Sequence, residues 1–296
     1  MTASSTISSH DIVVGLWRLA YWDLQDQALV DWTRQVLDLG VDTFDLADVY
    51  GGYRCEEIFG NALRADPGLR DKLRIITKCD IKIVSERRPE HRRHVYDTSK
   101  RHIVASAEAS LRQLGTDRLD LLLIHRQDPL MDPAEVAAAF DELHSSGKVL
   151  TFGVSNFTPS HLSMLASYVQ QPLVTNQVEA SVLCLSPFQD GTIDQCLERR
   201  MRPMAWSPLG GGQLMVGEAE QAQRVRAALE PIAEQHGCAI DAIAMAFLMR
   251  HPAAIHPITG TSRVDRIRSA IDACELRLSR EQWFEIWCAS TGASLP

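Results

Sequence analysis

Short, dense apolar runs alternate with amphipathic stretches from one end of the chain to the other. Eight runs stand out: Ile12–Trp17, Val41–Leu46, Leu73–Cys79, Leu119–His125, Thr151–Ser155, Val174–Glu179, Pro203–Ser207 and Ala254–Thr259. Their Val, Ile, Leu and Phe residues stand side by side rather than at every second position. That pattern predicts strands buried on both faces, as in a parallel sheet.

The intervening stretches carry helix punctuation. Asp132 reads as an N-cap, Pro133 as the first helical residue and Glu135 as the reciprocal capping partner. Val136, Phe140 and Leu143 then share an apolar face that Gly147 ends. Ile103, Ala107, Leu111 and Leu114 repeat the spacing ahead of Gly115. Thr158-Pro159 opens a helix with Leu162, Leu165 and Val169 inward. Ser279 through Gln282 caps a last one, whose Trp283, Phe284 and Trp287 are expected to pack helix against barrel. Strict β-then-α alternation predicts an α/β fold, a closed (β/α)8 TIM barrel forming a single domain over residues 1–296. The longest irregular stretch, Asp80 to Asp97, follows the third strand and is expected to overhang the rim. The Arg- and His-rich run within it, 86–94, predicts a solvated, mobile loop.

Composition narrows the possibilities. A hydrophobic share of 45% and a charged share of 23% are those of an ordinary soluble globular protein. The net charge of −8 sets aside nonspecific nucleic-acid binding as the main task. No apolar stretch approaches the ~20 residues that span a bilayer. Met1 to His10 lacks the basic segment and apolar core of a signal peptide. The 7 cysteines are widely spaced and contain no Cys-x-x-Cys, which predicts reduced thiols in a cytoplasmic protein.

Four polar residues lie at or just past strand ends: Asp45, Tyr50, Lys78 and His125. In a parallel barrel the C-terminal strand ends share one rim, where chemistry is done. Together these groups make a proton donor for a carbonyl. A phenol at its ordinary pKa of ~10 donates sluggishly near neutrality. An ammonium beside it, Lys78, lowers that pKa, and Asp45 pairs the buried ammonium. His125 donates a hydrogen bond that orients the carbonyl oxygen. Singly, each residue also reads as a turn cap, a loop aromatic, a solvated strand end or a rim histidine. Jointly they supply complementary roles. No metal is called for: the chain has no His-x-His pair, and His91 and His94 sit among arginines that repel a cation.

The chain closely resembles the aldo-keto reductase family from about Ile12 to Trp287. Asp45-x-Ala47-x-x-Tyr50-Gly51, Thr77-Lys78 and Asp120 to His125 are similar to its Asp/Tyr, lysine and histidine signatures. So are Gly147-Lys148 with Gly153 to Phe157, Asn176 to Glu179, and Trp206 to Gly210. The resemblance implies reversible reduction of an aldehyde or ketone, with Tyr50 as general acid assisted by Asp45, Lys78 and His125.

A hydride donor is then required. No Gly-x-Gly-x-x-Gly joins a strand to a helix, so a Rossmann site is not signalled. Barrels commonly bind phosphate after strands seven and eight. Ser207, Pro208, Leu209 and Gly210, continuing through Gly212, form a glycine-rich segment that a pyrophosphate could approach. Gly260, Thr261, Ser262 and Arg263 begin a helix whose free N–H groups favour an anion, and Arg266 adds charge suited to a 2′-phosphate. A capped helix with a solvated basic face reads equally well from spacing alone; the resemblance implies NADP(H). It also implies Ser155, Asn156 and Gln177 at the nicotinamide carboxamide, Trp206 stacked on the nicotinamide ring, and Gly15, Leu16 and Trp17 at the barrel mouth. Many relatives carry Glu-Asn after the residue equivalent to Arg268, where this chain has Ser269-Ala270. Trp17, Trp22, Tyr53, Arg126 and Met215 are expected pocket walls, and the expected partner is a small carbonyl compound, with no nucleic acid and no membrane. Two other readings are a redox-sensing subunit that holds NADP(H) with little turnover, and a metal-dependent barrel hydrolase.

Overall fold

The computed structural model describes residues 11–24 and 26–296; the segment assessed above for a signal peptide lies outside them. All eight apolar runs form strands: β1 (Val13–Gly15), β2 (Thr43–Asp45), β3 (Arg74–Cys79), β4 (Leu119–Ile124), β5 (Val149–Ser155), β6 (Leu173–Glu179), β7 (Met204–Trp206) and β8 (His256–Thr259). They close into a barrel in the order β1-β8-β7-β6-β5-β4-β3-β2. The dense runs are explained by double-sided burial: Leu121, Leu122, Leu123 and Ile124 of β4 are all buried. Most strands are shorter than their apolar runs, because the flanking residues stay buried after leaving the ladder.

The chain divides into two compact units, one comprising residues 13–176 and 260–262, the other residues 11–12, 177–259 and 263–296. In the first, register sets the rim. Asp45 pairs with Ile76, and Lys78 and Cys79 pair with Leu123 and Ile124. The C-terminal ends of β2, β3 and β4 therefore rise in steps, and Asp45, Lys78 and His125 arrive on adjacent strands. Outside the strands, the helices Cys55–Ala65 and Lys100–Leu114 press together at Gly60. A β-carbon there would stand 2.0 Å from the Gln113 carbonyl oxygen, so only glycine fits.

In the second unit a continuous apolar core joins Val225, Leu229, Ile243, Phe247 and Ile286. Trp283 stacks on Phe247 at 4.7 Å and on Trp287 at 5.3 Å, and its indole N–H donates to the Phe247 carbonyl. Trp283 of the last helix thus packs on Phe247 of the helix Ile240–Met249, and Trp287 stands edge-on to Phe188 at 6.0 Å; both belong to the core that also takes in Ala205 of β7.

Most caps follow the sequence. Ser279 and Gln282 form a full capping box, and Gly115 adopts the left-handed conformation that ends Lys100–Leu114. Asp132 caps through the Ala134 N–H, but Glu135 does not reciprocate; its carboxylate accepts from the Lys100 N–H of the preceding helix. Helix Pro159–Ala166 stops before Val169, which lies half-buried beyond it. The stretch 80–97 is more structured than its composition suggests. Ile81–Lys82 and Val95–Tyr96 form an antiparallel ribbon, and Arg88 lies 4.9 Å over the Tyr53 ring.

Gly60→Ala is expected to destabilise the protein by at least ~1–3 kcal/mol, since the added methyl meets backbone that cannot rotate away. Thermal or denaturant unfolding of the variant checks this.

Candidate active site

Lys78 is the hub of the rim. It is fully buried, and its Nζ donates to both Asp45 carboxylate oxygens at 2.7 and 2.8 Å, to the Leu46 carbonyl at 2.7 Å and to the Tyr50 hydroxyl at 3.1 Å. A buried ammonium is tolerable only when its charge is paired and its donors are used, and both conditions hold. Strand alternation explains the arrangement: Lys78 projects to one face of β3, while Thr77 projects to the other and donates to Glu56. The Tyr50 and His125 rings meet edge to face, 5.8 Å between centroids. The His125 backbone N–H is fixed to the Cys79 carbonyl at 3.0 Å. The structure thus brings all four sequence-predicted residues together, and adds the Leu46 carbonyl, a backbone group without a sequence signal.

Burial, countered by Lys78, raises the Tyr50 phenol above its ordinary value. Lys78 does favour phenolate, as the residue types imply, yet desolvation outweighs it and Asp45 opposes it too. Tyr50 is therefore held as the protonated acid. Burial disfavours the Lys78 ammonium, but Asp45 and Tyr50 together hold its pKa above the usual range. Burial, with Lys78 and Arg126, drives His125 well below the usual imidazole range, so the ring is neutral at physiological pH. Its Nδ1 is buried without a hydrogen-bond partner.

A second set of polar residues lies around these strand ends. Glu56 accepts from Thr77 at 2.6 Å and Asp48 from Ser106 at 2.7 Å, while Asp80 accepts from the Arg126 N–H at 2.9 Å. Each leaves one carboxyl oxygen buried and unpartnered. Burial, joined at Asp48 by repulsion from Glu56, pushes Asp48 and Glu56 up to about 7, and burial pushes Asp80 well above the carboxylate range. Sequence reasoning missed them because an acidic residue in a turn or first helical turn reads as solvated. Asp48 between the apolar Ala47 and Val49 was the available signal.

The residues implied for a cofactor fall in both units. In the first, Ser155 is buried and Asn156, in the left-handed region at φ 58°, donates to the Ser155 hydroxyl and the His125 carbonyl. Gly15 ends β1 and Leu16 is wholly buried, whereas Trp17 is 58% exposed under the Arg18 guanidinium. Gly260 and Thr261 follow β8, and the Ser262 carbonyl accepts from Trp32. In the second unit Gln177 is buried, Trp206 ends β7 half-buried, and Ser207 turns left-handed at φ 51° ahead of the buried Pro208 and half-buried Leu209. Gly210, Gly211 and Gly212 have φ of 59°, 64° and 102° in succession. No atom stands within 4 Å of the β-positions of Gly211 and Gly212, so this backbone is open to close approach by a phosphate. Arg263 immediately precedes the helix Val264–Asp272 and its guanidinium pairs with Asp265; Arg266 is exposed.

Among the expected pocket walls, Tyr53 is buried, its hydroxyl bonded to the Ile83 N–H and to His91, so it cannot line an open pocket. Trp22 packs edge-on against Trp32. Arg126 is half-buried and Met215 exposed. All seven cysteines carry free thiols. Among the described residues no cluster of His, Cys, Asp or Glu is placed to hold a metal ion, and no helix is long and apolar enough to cross a membrane.

The chain belongs to the aldo/keto reductase family, whose model matches residues 11–288. It is 49% identical over 286 residues to the uncharacterized oxidoreductase YcsN of Bacillus subtilis, covering 96% of this chain and 95% of that one. It is 45% identical to a 6-dehydroglucose reductase of Agrobacterium fabrum, covering 95% and 94%. A solved aldo/keto reductase of Klebsiella pneumoniae, in complex with NADP and acetate, superposes with a TM-score of 0.76 at 25% identity, covering 93% of this chain and 89% of that one.

The buried acids have a measurable consequence. Asp48 binds its proton more tightly folded, at about 7, than unfolded, near 3.8. Its contribution is therefore most favourable below pH ~4 and is lost as pH rises toward and through 7. Asp48→Asn is expected to flatten the decline in unfolding free energy between pH 5 and 8 by roughly 2–4 kcal/mol. Urea unfolding at several pH values measures it.

Proposed function

We propose that this protein reduces an aldehyde or ketone to the alcohol with NADPH, reversibly. The observation that carries the reading is the chain of contacts from Asp45 through Lys78 to the Tyr50 hydroxyl. Bound NADPH supplies a hydride to the carbonyl carbon. The protein's part is to protonate the oxygen. Tyr50, kept protonated by burial, donates its proton as negative charge develops on that oxygen. Lys78 stabilises the phenolate left behind, and Asp45 keeps the lysine charged and fixed. Neutral His125 donates a hydrogen bond to the same oxygen and orients the carbonyl. Reprotonation of Tyr50 from solvent completes the cycle.

The residues of both units named above fit NADPH. Ser155 and Gln177 offer buried polar groups to the nicotinamide carboxamide and Asn156 a half-buried one, and Trp206 offers a ring face to the nicotinamide. The open glycine turn 210–212 suits a pyrophosphate. Gly260 to Arg263, with Arg266, precede and open a helix and suit the 2′-phosphate end, although Asp265 already shares Arg263. The family match and the NADP-bound Klebsiella pneumoniae relative support this assignment. The Agrobacterium fabrum relative supports a sugar aldehyde as the first substrate class to test. Widely spaced, unpaired cysteines support a cytoplasmic setting.

Tyr50→Phe is expected to cut kcat by ~100-fold or more while leaving NADPH affinity unchanged, because only the proton donor is lost. NADPH oxidation over a panel of aldehydes, ketones and sugar aldehydes checks it. Unaltered turnover in the variant would overturn the reading in favour of a redox-sensing subunit.

A further inference from the structure

Lys78 has to reach Asp45, the Leu46 carbonyl and Tyr50 at once, so β3 must be fixed in height and pitch against the stretch 45–50. The side of β3 opposite Lys78 shows how. Thr77, fully buried, donates to Glu56 at 2.6 Å, and Glu56 is itself 1% exposed. Glu56 stands in the first turn of the helix Cys55–Ala65, whose seating against Lys100–Leu114 admits no β-carbon at Gly60. The same helix follows directly on the Tyr50 loop: the Cys55 N–H donates to the Tyr50 carbonyl at 3.2 Å. A second tie reaches Lys78 from that loop, since the Asp48 N–H donates to the Lys78 carbonyl at 3.1 Å and the Asp48 carboxyl is held by Ser106.

We propose that Glu56 is a positioning residue for the catalytic lysine: by gripping Thr77 it locks β3 to the helix that carries the Tyr50 loop, fixing the distance from Lys78 Nζ to the Tyr50 hydroxyl. The proposal rests on the assignment of Tyr50 and Lys78 to proton transfer. Glu56 contacts neither in the hydrogen-bond network; it acts through Thr77.

The grip has a protonation state. Charged and titratable groups face Glu56 from several elements: Asp48 from the loop after β2, Lys78 from β3 with Cys79 beyond it, and Arg88 from the stretch 80–97. The helix Lys100–Leu114 contributes the neutral Ser106 and Ser110. As pH rises through neutrality Glu56 loses its proton and adds negative charge beside Lys78, disfavouring the phenolate that Lys78 must support.

The test measures NADPH-dependent turnover across pH 5 to 9 for wild type, Thr77→Val, Thr77→Ser and Glu56→Gln, with NADPH affinity measured separately by fluorescence. Thr77→Val, nearly isosteric, is expected to lower kcat about tenfold at unchanged NADPH affinity, and Thr77→Ser to restore it. Glu56→Gln keeps an acceptor for Thr77 and cannot ionise; it is expected to hold wild-type kcat at pH 6 and to lose the inflection near pH 7. In a Lys78→Met background Thr77→Val is expected to cost nothing further. Wild-type kcat and pH profile in both Thr77→Val and Glu56→Gln, or a Thr77→Val loss undiminished in the Lys78→Met background, would overturn the proposal. A wild-type protein that binds NADPH but reduces no carbonyl would instead overturn the assignment beneath it.

Discussion

One ammonium group holds the site in place. Lys78 Nζ, wholly out of water, is surrounded by the Asp45 carboxylate, the Leu46 carbonyl and the Tyr50 hydroxyl. Such a pair gains little net stability over apolar residues of equal volume, whereas breaking it by removing one partner costs about 3–5 kcal/mol. Its value lies in geometry. An ammonium has three protons to donate, and four acceptor atoms within 3.1 Å leave it no other orientation. The phenol beside it is therefore both located and electrostatically tuned by the same contact.

The electrostatics is a contest rather than a simple activation. Burial keeps the Tyr50 proton on, and Lys78 favours its loss, as the proposed transfer to a substrate oxygen requires. A general acid needs both, since a phenol fully converted to phenolate has nothing to donate. His125 follows the same logic. Burial and two cationic neighbours strip it of charge, which suits the proposed role of orienting an oxygen without competing as an acid. Barrel register makes this possible, because the stepped ends of β2, β3 and β4 deliver one polar residue each to the same rim.

Much of this was legible in the amino-acid order. Dense apolar runs mark doubly buried strands whatever their partners, so all eight strands and the rim positions of Asp45, Lys78 and His125 followed from pattern alone. Features that depend on side-chain direction did not. Glu135 satisfies the rules of a capping box yet turns to Lys100, because the neighbouring helix offers an N–H as good as its own. Tyr53 looked like a pocket wall until the ribbon between β3 and the helix at Lys100 buried it. The acids Asp48, Glu56 and Asp80 are ordinary loop and helix residues in sequence, and only tertiary packing takes them out of water. The net direction of the Tyr50 shift was likewise hidden, since residue types reveal the lysine but not the depth of burial.

The dependence of Tyr50 on Lys78 is tested most directly by titrating the phenol itself. Tyrosine labelled with 13C at Cζ, assigned through the Tyr50→Phe variant, reports the ionisation of Tyr50 by NMR in wild type and in Lys78→Met. The expected wild-type pKa lies above that of an ordinary phenol, and rises further when the ammonium is removed. A Tyr50 pKa that is unchanged or lower in Lys78→Met would contradict this dependence.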